Sequence, residues 1–574
     1  MDIKVFDLSN DVFDPPVPKI ISTNEKKKYN YSEKLRRPMD IEFHLMNNDS
    51  RRCINEGQIV KFITSGEDYE CKKEDISDSY YQYTLLLEKL RIFIRKLIKT
   101  DDFGNKYGIK DSANWDIKAP YDSTNADLFI SVTMRPCEGS TAAYATFLTY
   151  DSTNFRPVQG LINICPASFI TEWTKRQETD LFQTLFHELV HTMGLHNKWF
   201  SYWLNRETGD NWGSSFPLTQ FIDNRYPKKR FNILHTPQSK KYAMKRWNAS
   251  EFAPGIPMGI ELEDGGGSGT EMSHPEGRIS VGEVMSGQGT GTSVISDMVL
   301  SIIEDMGWYS VDFSLAKPLK WADFRSFGEK QPKDLHREPM LKFLPSDFYC
   351  SDDDLKTVVG CDYDYQSITA CMNEPVTCPG STIEEQDYCS TTGFYNPLNL
   401  SYKGSVYQDY IPIKHSIGRI DETFCFKCQS NDPDYPNVLV ANVECAENKT
   451  QYNVDLFGRT YLCDYEGKYH SILNNPIYSY FLCSSPKYLC EMNDYDRRTI
   501  PQPEKVPFPL DILPSSTIKP SITNQPGSKK QSNPNILTMV LMGGGLIIIV
   551  VGIVVFKLIK KKDEYEQSSN FHQF

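Results

Sequence analysis

Residues 181–197, LFQTLFHELVHTMGLHN, constrain the fold more than any other stretch of the chain. Leu181, Leu185, Leu189 and Val190 recur at helical spacing and form one apolar stripe. In that helix His187 and His191 stand one turn apart on the same face, with Glu188 beside them. Two imidazoles so placed can bind one metal ion, and Glu188 can act on a water next to it. Nitrogen ligands with an open water position suit zinc. Gly194 can end the helix and turn the chain. The plainer alternative is a surface helix with two hydrogen-bonded histidines, which the amphipathic context and glycine stop disfavour.

A zinc site of this kind needs a third ligand, and three placements compete. His196 lies close by, but a compact H-E-x-x-H-x-x-G-x-x-H motif puts its last histidine at position 197, which is Asn. Glu207 is a nearby carboxylate, set in RETGDNWG, which reads as a turn. His274, in GGGSGTEMSHPEGR, precedes Met285 of GEVMSG by eleven residues.

The 574 residues imply several domains. A net charge of -13 with interspersed signs argues against a nucleic-acid partner. Of fifteen Cys, four precede residue 170 and eleven fall between 350 and 490. That density, without zinc-ribbon spacing, predicts a disulfide-linked exterior domain. Cys425 and Cys428 form a lone C-x-x-C and read as two disulfide halves; Cys137 and Cys165 have no clear mates. N-x-S/T sequons stand at Asn30, Asn48, Asn248, Asn399 and Asn448.

In chain order, residues 1–38 are polar and Lys-rich, a flexible lead-in or propeptide remnant without a signal-peptide run. Residues 78–99 have helical periodicity through Leu86, Leu90, Ile94 and Leu97, and 127–134 and 157–164 read as strands. With the metal-binding helix the pattern is α+β. The predicted domains are an N-terminal catalytic subdomain over 39–195, a central subdomain over 196–315 and a Cys-rich, mostly β domain over 316–495. Residues 198–270 read as loop-rich and 291–307 as a second helix. A Pro/Ser/Lys-rich stalk follows at 496–535.

Residues 536–556 are an uncharged apolar run, about 31 Å long as a helix and sufficient to span a bilayer. Lys557, Lys560, Lys561 and Lys562 follow it, which puts the 557–574 tail in the cytosol and the rest outside. The expectation is a single-pass type I protein of the plasma membrane whose start lies upstream of Met1. A tail-anchored cytosolic protein is the alternative, disfavoured by cysteine density and sequons.

Five stretches in order resemble leishmanolysin, a surface metzincin family. They are RPVQGLINICPASF (156–169), HELVHTMGL (187–195), ELEDGGGSGTEMSH (261–274), GEVMSG (282–287) and SIIEDMGWYSVDFS (301–314). Cys53 and Cys71 resemble an early cysteine pair of that family, and NVECAENKTQYNVDLFGRTYLCDYEG onward resembles its Cys-rich end. The resemblance implies a metzincin catalytic domain in which one Zn2+ is held by His187, His191 and His274. It makes Glu188 the general base, Met285 the apolar floor of a Met-turn, and His196 a bystander. It implies a zinc endopeptidase acting on proteins or peptides; an adhesin with dispensable catalysis is the competing function. The family's inhibitory propeptide cysteine has no counterpart in residues 1–38, which hold no Cys. The oligomeric state is open.

Overall fold

The computed structural model describes Ile3–Val5 and, apart from short breaks, residues 36–331, 360–370 and 409–490. Contacts group the chain into two units, Met1–Asn453 with Leu462–Gln502, and Val454–Tyr461 with Pro503–Phe574. The first runs through the expected boundaries at 38, 195 and 315. Of the second only Val454–Tyr461 is described, including a turn with Phe457 and Gly458 at positive φ. The expected stalk, membrane segment and tail lie outside the described residues. Among the described residues no helix is long and apolar enough to cross a membrane.

The principal sheet contains β1 (Ile3–Val5), β2 (Ile41–Leu45), β3 (Leu128–Thr133), β4 (Ala143–Asp151) and β5 (Pro157–Ile164), in the spatial order β1–β4–β5–β3–β2. β2, β3 and β5 run parallel, and β4 runs antiparallel to β5. The two strands expected from sequence are β3 and β5. Every residue in both is buried, as continuous apolar runs require when both faces are covered. β2 and β4 were not anticipated, because Glu42, His44, Thr146 and Thr149 break their apolar pattern.

Helix α1 (Tyr80–Leu97) matches the expected 78–99 span, with Leu86, Leu90, Ile94 and Leu97 buried. It packs on α2 (Lys175–Thr192), where the Phe93 ring lies 5.6 Å from Phe182 and 6.1 Å from Phe186. The lead-in is not loose up to residue 38. Arg36 donates to the Gly307 carbonyl at 2.7 Å, and Arg37 pairs with buried Asp127 at 2.8 Å.

Residues 198–270 depart from the loop-rich expectation. β6 (Leu218–Asp223), β7 (Lys229–Leu234) and β8 (Ile260–Leu262) form an antiparallel sheet in that order, and α3 (Pro237–Trp247) lies between β7 and β8 in the chain. The first turn of α3 is capped from far away. Asp305 accepts the Gln238 and Ser239 amides at 2.8 and 2.7 Å. Asp305 ends α4 (Asp297–Asp305), which is shorter than the expected 291–307 because Ser296 caps it, accepting the Met298 amide at 3.1 Å.

Among the described residues the regular structure of the Cys-rich part is mostly β, consistent with the expectation. β9 (Phe424–Ser430), β10 (Val438–Cys445), β11 (Tyr469–Ser471) and β12 (Tyr478–Leu482) lie in the order β10–β9–β12–β11. Disulfides join Cys361 to Cys425, Cys445 to Cys490 and Cys463 to Cys483. Cys425 thus pairs outside its C-x-x-C. Cys53 pairs with Cys71. Cys137 and Cys165, left without mates by sequence, pair with each other. The reason is topological: they follow the C-terminal ends of β3 and β5, which are parallel neighbours.

Candidate metal centre

Helix α2 buries Leu181, Phe182, Leu185, Phe186, Leu189 and Val190, which leaves His187 and His191 on the other face. Gly160 of β5 lets the helix sit close to the sheet. A Cβ there would meet the Thr192 side chain at 3.0 Å. Beyond the helix, Gly194 adopts φ +117°, a conformation L side chains rarely take, and a Cβ would meet Trp308 at 3.2 Å and Trp199 at 3.4 Å. The Gly194 amide donates to the His191 carbonyl and the Leu195 amide to Val190, closing the helix end.

His274 arrives by another route. After β8 the chain loops out and returns antiparallel, with the Glu263 amide donating to the His274 carbonyl at 2.9 Å and the Glu276 amide to Glu261 at 2.9 Å. The chain leaving α2 is tied to this loop, because the Asn197 side chain donates to the Glu271 carbonyl at 3.1 Å.

The three imidazoles meet through Nε2: 3.1 Å from His187 to His191, 3.1 Å from His191 to His274 and 3.2 Å from His187 to His274. Each Nδ1 faces a backbone carbonyl: Val284 at 2.7 Å for His187, Leu195 at 2.9 Å for His191 and Thr270 at 3.1 Å for His274. A carbonyl only accepts, so each Nδ1 carries the proton and each Nε2 presents a lone pair. Three lone pairs converging on one point repel one another unless a cation lies between them. Nitrogens about 2.0–2.1 Å from a tetrahedral zinc stand about 3.3–3.4 Å apart, so this trio fits such an ion with a few tenths of an ångström of opening.

Electrostatics keep the rings in their ligating, neutral form. Burial first, then the neighbouring His187 ring, lowers His274 to about 3. Burial, with His274 and His187 adding, holds His191 well below the ordinary value, and burial lowers His187. Burial alone pushes the Glu188 carboxyl up to about 8 in the metal-free chain. A nearby dication favours its ionised form.

The tight turn after His274 contains Gly282 at φ +79° and places Met285 fully inside the core. Its preceding residue, Val284, supplies the carbonyl that orients His187. Sequence reasoning missed this carbonyl and those of Leu195 and Thr270, since every residue carries one. His196 and Glu207 stay outside the trio. His196 instead accepts the Lys198 amide at 3.2 Å and caps the 3-10 turns Asn197–Tyr202. Glu207 is exposed in a turn, its amide donating to Asn205.

The fold brings together three imidazoles whose Nε2 atoms are placed to hold a metal ion. The leishmanolysin peptidase model matches residues 21–379, and the chain belongs to that family. A leishmanolysin-like peptidase of Drosophila pseudoobscura pseudoobscura is 29% identical over 226 residues, covering 34% of this chain and 32% of that protein. A leishmanolysin homolog of Crithidia fasciculata is 29% identical over 199 residues, covering 34% and 27%. The human ciliated left-right organizer metallopeptidase is 26% identical over 256 residues, covering 44% and 30%. The match therefore spans about a third of the length of these curated relatives.

Proposed function

We propose that the protein is a zinc endopeptidase with His187, His191 and His274 as ligands and Glu188 as general base. The observation that carries this reading is the convergence of three Nε2 atoms within 3.1–3.2 Å while every Nδ1 is committed to a carbonyl. Zinc, when bound, polarises the scissile carbonyl and makes an adjacent water acidic near neutral pH. Glu188 takes a proton from that water as its oxygen attacks the carbonyl carbon. It then delivers the proton to the amine as the C–N bond breaks, so one water is consumed and two chain ends form. Met285 supplies an apolar floor rather than a ligand, in keeping with its burial.

The decisive variant is Glu188→Gln in the full chain. Zinc content should stay at one per chain while casein cleavage falls by about a thousandfold or more, the scale on which general-base loss and lost preorganisation combine. Normal cleavage by this variant refutes the assignment.

The cellular setting is part of the same proposal: a surface protein anchored through 536–556, with residues before it outside. The apolar run and its lysine flank support this, as do the five disulfides among the described residues. Asn48, Asn248 and Asn448 are exposed, as acceptors of glycans must be. Labelling of intact cells with a membrane-impermeant reagent should mark the protein; labelling only after permeabilisation favours the cytosolic alternative.

A further inference from the structure

We infer that Glu263 is a positioning residue that sets the third imidazole, an inference that rests on the metal-centre reading above. Glu263 is 0% exposed and stands at the end of β8. Among the described residues it binds the His274 loop at four points. Its amide donates to the His274 carbonyl at 2.9 Å, and its carbonyl accepts the Met272 amide at 2.8 Å. Its carboxylate joins the loop's two ends: Oε1 accepts the Gly265 amide at 3.0 Å and Oε2 the Gly277 amide at 3.3 Å.

The backbone pair is open to any residue except proline, whereas the side-chain pair is not. Two amide donors require an acceptor on each arm of the fork. Glutamine turns one arm into a donor facing a donor, and aspartate is one methylene short. The loop itself, DGGGSGTEMSH, has four glycines ahead of its histidine and would be costly to order without such a brace. The carbonyl that orients His274, from Thr270 at 3.1 Å, lies within the same loop. Ring position and ring orientation therefore both depend on how the loop is closed. Downstream of the brace, Arg278 is itself fixed by Glu261 at 2.6 Å and Asp409 at 2.8 Å, which gives the Gly277 end a rigid anchor.

Glu263 acts through the loop backbone and not on the imidazole itself, so its loss should cost about tenfold in affinity, the low end of the range for a ligand's direct partner. In the full chain, Glu263→Gln should weaken Zn2+ binding by that factor in a chelator competition and shift the visible band of the Co2+-substituted protein. Excess Zn2+ should restore peptide cleavage. The control is Asp49→Asn, which breaks the buried Arg135–Asp49 pair (2.6 Å) elsewhere in the molecule. It should lower the unfolding midpoint while Zn2+ affinity and the Co2+ band stay as in wild type. Wild-type affinity and band in Glu263→Gln overturn the inference, as does an equal loss in Asp49→Asn. If Glu263→Gln does not fold, Glu263→Asp takes its place under the same criteria. Failure of both to fold makes Glu263 a determinant of folding and also overturns the inference. His187→Ala separates the two levels: if it keeps zinc, the metal centre is misassigned, whereas zinc loss there with a silent Glu263→Gln refutes the brace only.

Discussion

The two arms of the proposed metal centre are built on different principles. His187 and His191 stand on α2, where the i, i+4 spacing alone puts them on one face. His274 sits on a loop with no periodicity, and its place is set by bonds to β8, to Asn197 and within the loop. One arm takes its geometry from a repeating backbone; the other takes it from partners distant in sequence. The helical arm should thus keep its spacing whatever its neighbours, while the loop arm depends on the sum of its bonds, most of all on the fork at Glu263.

Four measurements can break or sharpen that contrast. The largest effect is expected from His191→Ala and His274→Ala, each abolishing zinc binding and casein cleavage; retained zinc in His274→Ala would show that the loop arm is dispensable. Next comes Gly194→Ala, which puts a side chain at φ +117° against Trp308 and Trp199. It should destabilise the protein by about 1–3 kcal/mol in urea unfolding. An unchanged midpoint would mean that the helix exit relaxes freely.

Acid should act on the metal-free protein through the lowered imidazoles. Between the ordinary histidine value of about 6.5 and the value of about 3 for His274, the unfolded chain binds more protons than the folded one. The imidazole contribution to stability is then fully present above about pH 7 and falls as pH drops through that window, while the raised Glu188 carboxyl acts in the opposite sense, its contribution lost as pH rises towards about 8. Urea midpoints of the metal-free protein from pH 7.5 to 4.5 should show this, and His274→Ala should flatten the slope. The smallest effect is expected from Asn197→Ala, which removes one bond from helix exit to loop and should shift the urea midpoint by about 1 kcal/mol or less. A much larger zinc-affinity loss there would show that the two arms are less independent than their construction implies.

This contrast also explains what could be read from sequence. The helix, its apolar stripe and its glycine stop are local; α2 ends at Thr192, two residues before Gly194, but begins at Lys175, six ahead of the stretch read as helical. β3 and β5 were equally visible because their runs are wholly buried. His274 could be named only through the resemblance, since residue spacing left His196 and Glu207 in competition. The sheet β6–β7–β8 went unseen because polar residues such as Gln220, Arg230 and Asn232 interrupt the first two strands and the third has three residues, and the Asp305 cap on α3 joins residues more than sixty positions apart. The Cys137–Cys165 bridge follows from strand order, which no spacing rule contains.

Gly160 bears on all of this from the opposite side of α2. The helix lies where it does because the sheet offers a gap in its side-chain layer at that position. The separation between the helix-borne nitrogens and His274 is therefore calibrated by an omission. A single methyl at Gly160 would act as a shim against Thr192, which would have to give by a few tenths of an ångström, with every ligand in the sequence left intact.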